Sequence, residues 1–243
     1  MFAPQLATLA AHGYRAIAFD HRARTDRFRG PYSLEDLADD CIGLLDHLGA
    51  RRCVLVGMSM GGFTALRAAI RHPGRLAGVG LLGGAMVREF GAAEQAEWAA
   101  GYEAIRAGEL VPRQFAEGQA AVCFGPVARR EQPDLIESWV QRWAAHSAEA
   151  VYWEARSWID QGDISAAVAE SELPFLIVQG DDDTALPLDD ALATFALLRN
   201  ATMARLPRVG HTANLESPEL VDRLLLRFLA DVGAADPDWG ARR

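Results

Sequence analysis

No lysine occurs in the 243-residue chain, so all 24 of its basic residues are arginine. That absence removes chemistry that needs an amine nucleophile, including Schiff-base and pyridoxal reactions, and it removes the phosphate-loop lysine. Cysteine is scarce as well. Cys41, Cys53 and Cys123 are odd in number, far apart and form no Cys-x-x-Cys pair, which excludes a disulfide framework and a cysteine metal site and fits a reducing cytoplasm. No stretch approaches about 18 uninterrupted apolar residues, so no membrane partner is expected. Met1 to Gln5 carry no basic flank, and Gln5, Thr8 and His12 interrupt the mildly apolar run there, so no secretion signal is expected. Arginine is outnumbered by 33 acidic residues, leaving a net charge of -9, and no nucleic-acid partner is expected.

What is present is apolar bulk. Half of the residues are hydrophobic, and a chain of this length buries roughly 70% or more of its unfolded surface without a metal or disulfide. Residues 4–12 read as an apolar-faced helix stopped by Gly13, and residues 14–19 as a strand ending at Asp20. Ser33-Leu34-Glu35-Asp36 has the form of a capping box and opens a helix to about Leu48, with Gly49 as its stop. Residues 53–56 are a short apolar run of the kind buried in a parallel sheet, followed by a glycine-rich turn and a helix through Arg71. Further strands are expected at residues 76–82, 175–178 and 201–206, and a last helix from Ser217-Pro218 to about Val232. Strands alternating with helices mean an α/β fold with a mostly parallel sheet.

Residues 85–163 interrupt that alternation and read as several helices. This segment holds 10 of the 20 aromatic residues, among them Trp98, Trp139, Trp143, Trp153 and Trp158. Ile136, Trp139, Val140 and Trp143 have the spacing of a buried helical stripe, and the same aromatic surface would roof an apolar substrate pocket. The expected division is therefore a core of residues 1–84 and 164–233, a helical cap of residues 85–163 and a frayed tail of residues 234–243.

Gly57-Met58-Ser59-Met60-Gly61-Gly62 stands directly between a buried strand and a helix. That is the setting of a G-x-S-x-G nucleophile elbow, whose sharp turn tolerates only small residues two before and two after the serine. Such a turn lifts the Ser59 hydroxyl clear of the sheet and leaves the Met60 backbone N–H free for a developing oxyanion. A glycine-rich turn can also be purely structural, so the rest of the chain decides. A serine needs an imidazole to take its proton and a carboxylate to orient that imidazole. Asp181, Asp182 and Asp183 follow one strand, and His211 follows the next, in the order and at the sheet edge where this chemistry is built. His12, His47 and His72 lie at helix ends and His146 in the cap, which leaves His21 as the one rival base.

With these motifs the chain resembles the α/β-hydrolase superfamily from residue 4 to about residue 232. It is similar to the Ser-Met-Gly-Gly group of carboxylesterases, enol-lactone hydrolases, carbon–carbon bond hydrolases and cofactor-free haloperoxidase-like enzymes. The resemblance places Gly180 and Pro187 on the acid loop and so implies Asp183 as the acid. It places Gly210-His211 with Glu216-Ser217-Pro218 on the base loop and implies His211 as the base. It implies no cofactor and no metal.

Two departures stand out. Asp20-His21-Arg22-Ala23-Arg24-Thr25 replaces the glycines usual after that strand, and the family's first three strands have no counterpart ahead of residue 4. The missing third strand would lie between residues 14–19 and 53–56, so an empty slot is expected there, from a start assigned too late or from a real truncation. The loop after that strand would supply the second oxyanion donor, so Met60 is the one donor evident in the sequence. The implied function is a serine hydrolase cleaving a small, largely apolar ester, lactone or related carbonyl compound through an acyl-enzyme. The alternative is a non-catalytic binding protein or truncated remnant of the same fold.

Overall fold

The computed structural model of the chain describes residues 1–25 and 30–235. Chain order runs α1 (Ala3–Ala11), α2 (Leu34–His47), β1 (Cys53–Met58), α3 (Met60–Arg71) and β2 (Leu76–Leu82). Five helices come next: α4 (Ala92–Arg106), α5 (Arg113–Cys123), α6 (Pro126–Glu131), α7 (Pro133–Ala144) and α8 (Ala148–Ile159). The short α9 (Ser165–Ala169) then leads into β3 (Phe175–Gly180), α10 (Leu188–Leu197), β4 (Ala201–Leu206), α11 (Ala213–Glu216) and α12 (Pro218–Ala235). The strands form one sheet in the order β1-β2-β3-β4, every pairing parallel. Val79, Leu81, Phe175 and Ile177 face a layer made by α3, α9 and α10, while Ala77, Leu82, Leu176 and Val178 face α12. Two buried faces explain why β2 and β3 read as continuous apolar runs rather than alternating ones.

Local signals act where expected. Ser33 Oγ accepts the Asp36 N–H at 3.1 Å, and the Asp36 carboxylate accepts the Ser33 N–H at 2.8 Å, so the capping box satisfies two amides at the start of α2. Gly49 follows at φ +64°, the left-handed conformation that ends such a helix. The last helix extends to Ala235, past the expected Val232. Of the expected tail, Ala234 and Ala235 are helical, and residues 236–243 lie outside the described part. No helix among the described residues is long and apolar enough to cross a membrane.

One expected strand is not formed. Residues 14–20 carry no secondary structure and pair with no strand among the described residues, and Ile17 and Phe19 remain 45% and 38% exposed. A segment becomes a strand only when a neighbour pairs with its N–H and C=O groups, and among the described residues none does. For the same reason β1 is a half-exposed edge strand rather than a buried central one: of its six residues only Gly57 is buried. A cavity of about 1100 Å³ is lined by residues 15–20 on one side and by residues 53–58 on the other, and it continues to Ser59.

The helices α4 to α8 pack around a core of their own that includes Tyr102, Phe124, Trp139, Val151 and Ile159. Trp139 and Val140 are buried on the stripe that their spacing indicated.

Candidate active site

Ser59 sits in the turn between β1 and α3 at φ 54°, ψ -122°, a conformation that costs a serine roughly 1–3 kcal/mol and persists only where the surroundings enforce it. The Ser59 N–H donates to Leu82 O at 3.0 Å, and its own carbonyl accepts the Gly62 N–H at 2.7 Å. A Cβ at residue 57 would lie 1.9 Å from the Gly61 carbonyl oxygen, so only glycine allows strand and helix to approach this closely. Met60 opens α3, where a first-turn amide has no intrahelical acceptor.

The carboxylate comes from the loop after β3. Asp183 has a fully buried side chain. Its Oδ1 accepts the N–H groups of Ala185 and Leu186, both at 2.9 Å, and its Oδ2 accepts Gln179 Nε2 at 2.8 Å. The remaining donor to Oδ2 is His211 Nδ1, also at 2.8 Å. With Nδ1–H committed to the carboxylate, Nε2 is left as the acceptor, and the Ser59 hydroxyl donates to it at 2.8 Å. Asp181 instead accepts Arg205 Nε at 2.9 Å on the surface, and neither it nor Asp182 bonds the imidazole.

Of the other histidines, His12 bonds the Thr8 carbonyl and His72 bonds Asp39, both at helix ends and away from Ser59. His21 does line the cavity that reaches Ser59, and burial pushes its pKa down, so it is a neutral ring at neutral pH. It makes no bond to the serine. Among the described residues no group of three or more His, Cys, Asp or Glu side chains could hold a metal ion.

Some residues of the site have contacts that no motif reveals. Glu216 is buried beneath the His211 loop and collects donors from two layers. Its Oε2 accepts the N–H groups of Gly210 at 2.9 Å and Gly125 at 3.0 Å, and its Oε1 accepts the Thr212 N–H and hydroxyl at 3.2 and 2.9 Å. Burial beside Asp183 and Glu216 raises the Cys123 thiol to about 12, so it is protonated and unreactive. Arg24 and Glu154 form an ion pair in the pocket wall. No sequence spacing could link residues 130 positions apart. Trp98, Trp139, Trp143 and Trp158 line the cavity, whereas Trp153 does not.

The fold is an α/β fold on a parallel sheet, with Asp183, His211 and Ser59 hydrogen-bonded in series at one end of it. Residues 1–224 match the model of the alpha/beta hydrolase family, and the chain belongs to it. A 3-oxoadipate enol-lactonase of Acinetobacter baylyi is 28% identical over 203 residues, covering 82% of this chain and 73% of that protein. A non-heme haloperoxidase of Rhodococcus erythropolis is 28% identical over 238 residues, with 93% and 85% covered. Among solved structures, a thermophilic esterase from Thermogutta terrifontis superposes with a TM-score of 0.88 at 26% identity, over 95% of this chain and 85% of that one.

Proposed function

We propose that the protein is a serine hydrolase that cleaves small, largely apolar esters, lactones or related carbonyl compounds through an acyl-enzyme. The observation that carries this reading is the unbroken chain of hydrogen bonds from Asp183 through His211 to Ser59, each 2.8 Å long. Ser59 Oγ attacks the carbonyl carbon while His211 Nε2 takes its proton, and the Met60 N–H donates to the oxyanion. The imidazolium then protonates the departing oxygen, and the acyl group stays on Ser59. Water, deprotonated by His211, attacks the acyl-enzyme and releases the acid. Asp183 keeps the Nδ1–H tautomer in place throughout. In this reading residues 85–163 act as a cap over a core of residues 1–84 and 164–233, and its tryptophans favour an apolar acyl or alcohol group.

The test is labelling by a fluorophosphonate probe together with hydrolysis of p-nitrophenyl butyrate. Ser59→Ala is expected to lose the label and to lower turnover by roughly 10³-fold or more. A variant that keeps full turnover would overturn the acyl-enzyme, and a wild-type protein that neither labels nor turns over any ester would leave a binding protein of the same fold.

A further inference from the structure

The helix α8 lies directly over the nucleophile turn. Ser157 Oγ is 3.8 Å from the sulfur of Met60, and Glu154, one helical turn earlier, lines the cavity that Ser59 opens into. Its carboxylate is gripped by Arg24 from the short 3-10 turn at Arg22–Arg24. Arg24 Nε donates to Oε2 at 2.9 Å, and Nη2 donates to Oε1. The two side chains are only 17% and 11% exposed. The guanidinium also sits 4.9 Å from the ring centre of Trp143. Its position is thereby fixed from two sides, while Nη1 makes no hydrogen bond among the described residues. His21 belongs to the same wall, but its Nδ1 is closed off from the cavity and has no partner among the described residues. Arg24 Nη1 is thus an unspent donor in a cavity whose lining includes Phe90, Trp98 and Trp158.

We propose that Arg24 forms a subsite for a neutral hydrogen-bonding group, a second carbonyl or a hydroxyl, carried by the substrate away from the bond that is cut, and that Glu154 makes this subsite reject carboxylates. The inference rests on the acyl-enzyme reading of Ser59 and adds the substrate's second functional group. Arginine alone would attract a carboxylate. Here its charge is already matched by Glu154 through a two-point contact, and the neighbouring His21 is neutral. A carboxylate entering the subsite would put two anions against the single half-buried guanidinium of Arg24, which is a costly arrangement. A carbonyl oxygen asks only for the open N–H groups and brings no charge.

Three p-nitrophenyl esters of matched length separate the terms: heptanoate, 6-oxoheptanoate and the monoadipate, the last two differing in a methyl ketone against a carboxylate. In the wild-type protein kcat/KM is expected to be highest for 6-oxoheptanoate and at least roughly tenfold lower for the monoadipate. In Glu154→Gln the monoadipate to 6-oxoheptanoate ratio should rise by roughly tenfold, because the arginine charge is uncovered. The paired variant Arg24→Met with Glu154→Met leaves no lone buried charge, and it keeps the test open if the single variant fails to fold. It should take heptanoate as the best of the three. A wild-type protein that cleaves the monoadipate as fast as 6-oxoheptanoate, or an unchanged ratio in both variants, would overturn the subsite. Heptanoate hydrolysis and probe labelling of Ser59 report on the acyl-enzyme separately. If they persist while the ratios stay flat, only the subsite falls; if they too are lost, both readings fall.

Discussion

Three adjacent carboxylates follow β3, and one of them is set apart by its surroundings. Asp183 accepts two backbone N–H groups, a glutamine amide and the imidazole, whereas Asp181 faces solvent with Arg205. Replacing Asp183 by Asn removes the charge that stabilises the imidazolium and allows the wrong tautomer, so kcat should fall by about 10³- to 10⁴-fold. Asp181→Asn breaks an exposed ion pair worth at most about 1 kcal/mol and should leave kcat within about twofold. Steady-state kinetics on one ester decides between them, and equal losses would remove Asp183 from its assigned role. Asp183 could be named from the sequence because Gly180 and Pro187 bracket it in the family pattern. Gln179, which fixes the second face of that carboxylate, could not, since a buried polar residue at a strand end has no signature apart from its partner.

At the level of elements, the expected strand at residues 14–19 and the structure part company. The run Tyr14-Arg15-Ala16-Ile17-Ala18-Phe19 has strand composition but no assigned secondary structure, because pairing is a property of two segments. No spacing within one run reports whether a second segment pairs with it. The elements that depend on their own residues were legible: the α2 capping box, the Gly49 stop, and β2 and β4 to their end residues. Hydrogen exchange should register the difference. Amides of residues 15–20 are expected to exchange with little protection, while β2 and β3, hydrogen-bonded on both sides, should be among the slowest in the molecule. Slow exchange across residues 15–20 in the isolated protein would mean that they are paired in solution.

For the whole molecule, the decisive arrangement joins parts that sequence reading treats separately. The Ser, Asp and His motifs could each be found in the chain, but the wall facing them could not. Arg24 comes from the loop before α2 and Glu154 from α8, and only the folded chain makes them neighbours. Glu216 shows the same limit, because its family pattern marks the position without revealing what the carboxylate holds. Removing that charge by Glu216→Gln replaces an acceptor of four hydrogen bonds with a group whose amide confronts donors. The expected loss is about 1.5–3 kcal/mol of stability, read as a lower melting temperature. kcat should drop more than KM changes, and an unchanged kcat would show that the His211 loop holds its shape unaided.

The same carboxylate has a mechanical consequence. Gly125 belongs to the junction of α5 and α6, while Gly210 and Thr212 flank His211 on the sheet side. The α5–α6 junction and the His211 loop are riveted to one point, so a ligand bulky enough to pry that junction upward would drag the imidazole off Ser59. Such a compound would occupy the pocket and disarm it in the same movement, which makes oversized esters inhibitors rather than slow substrates.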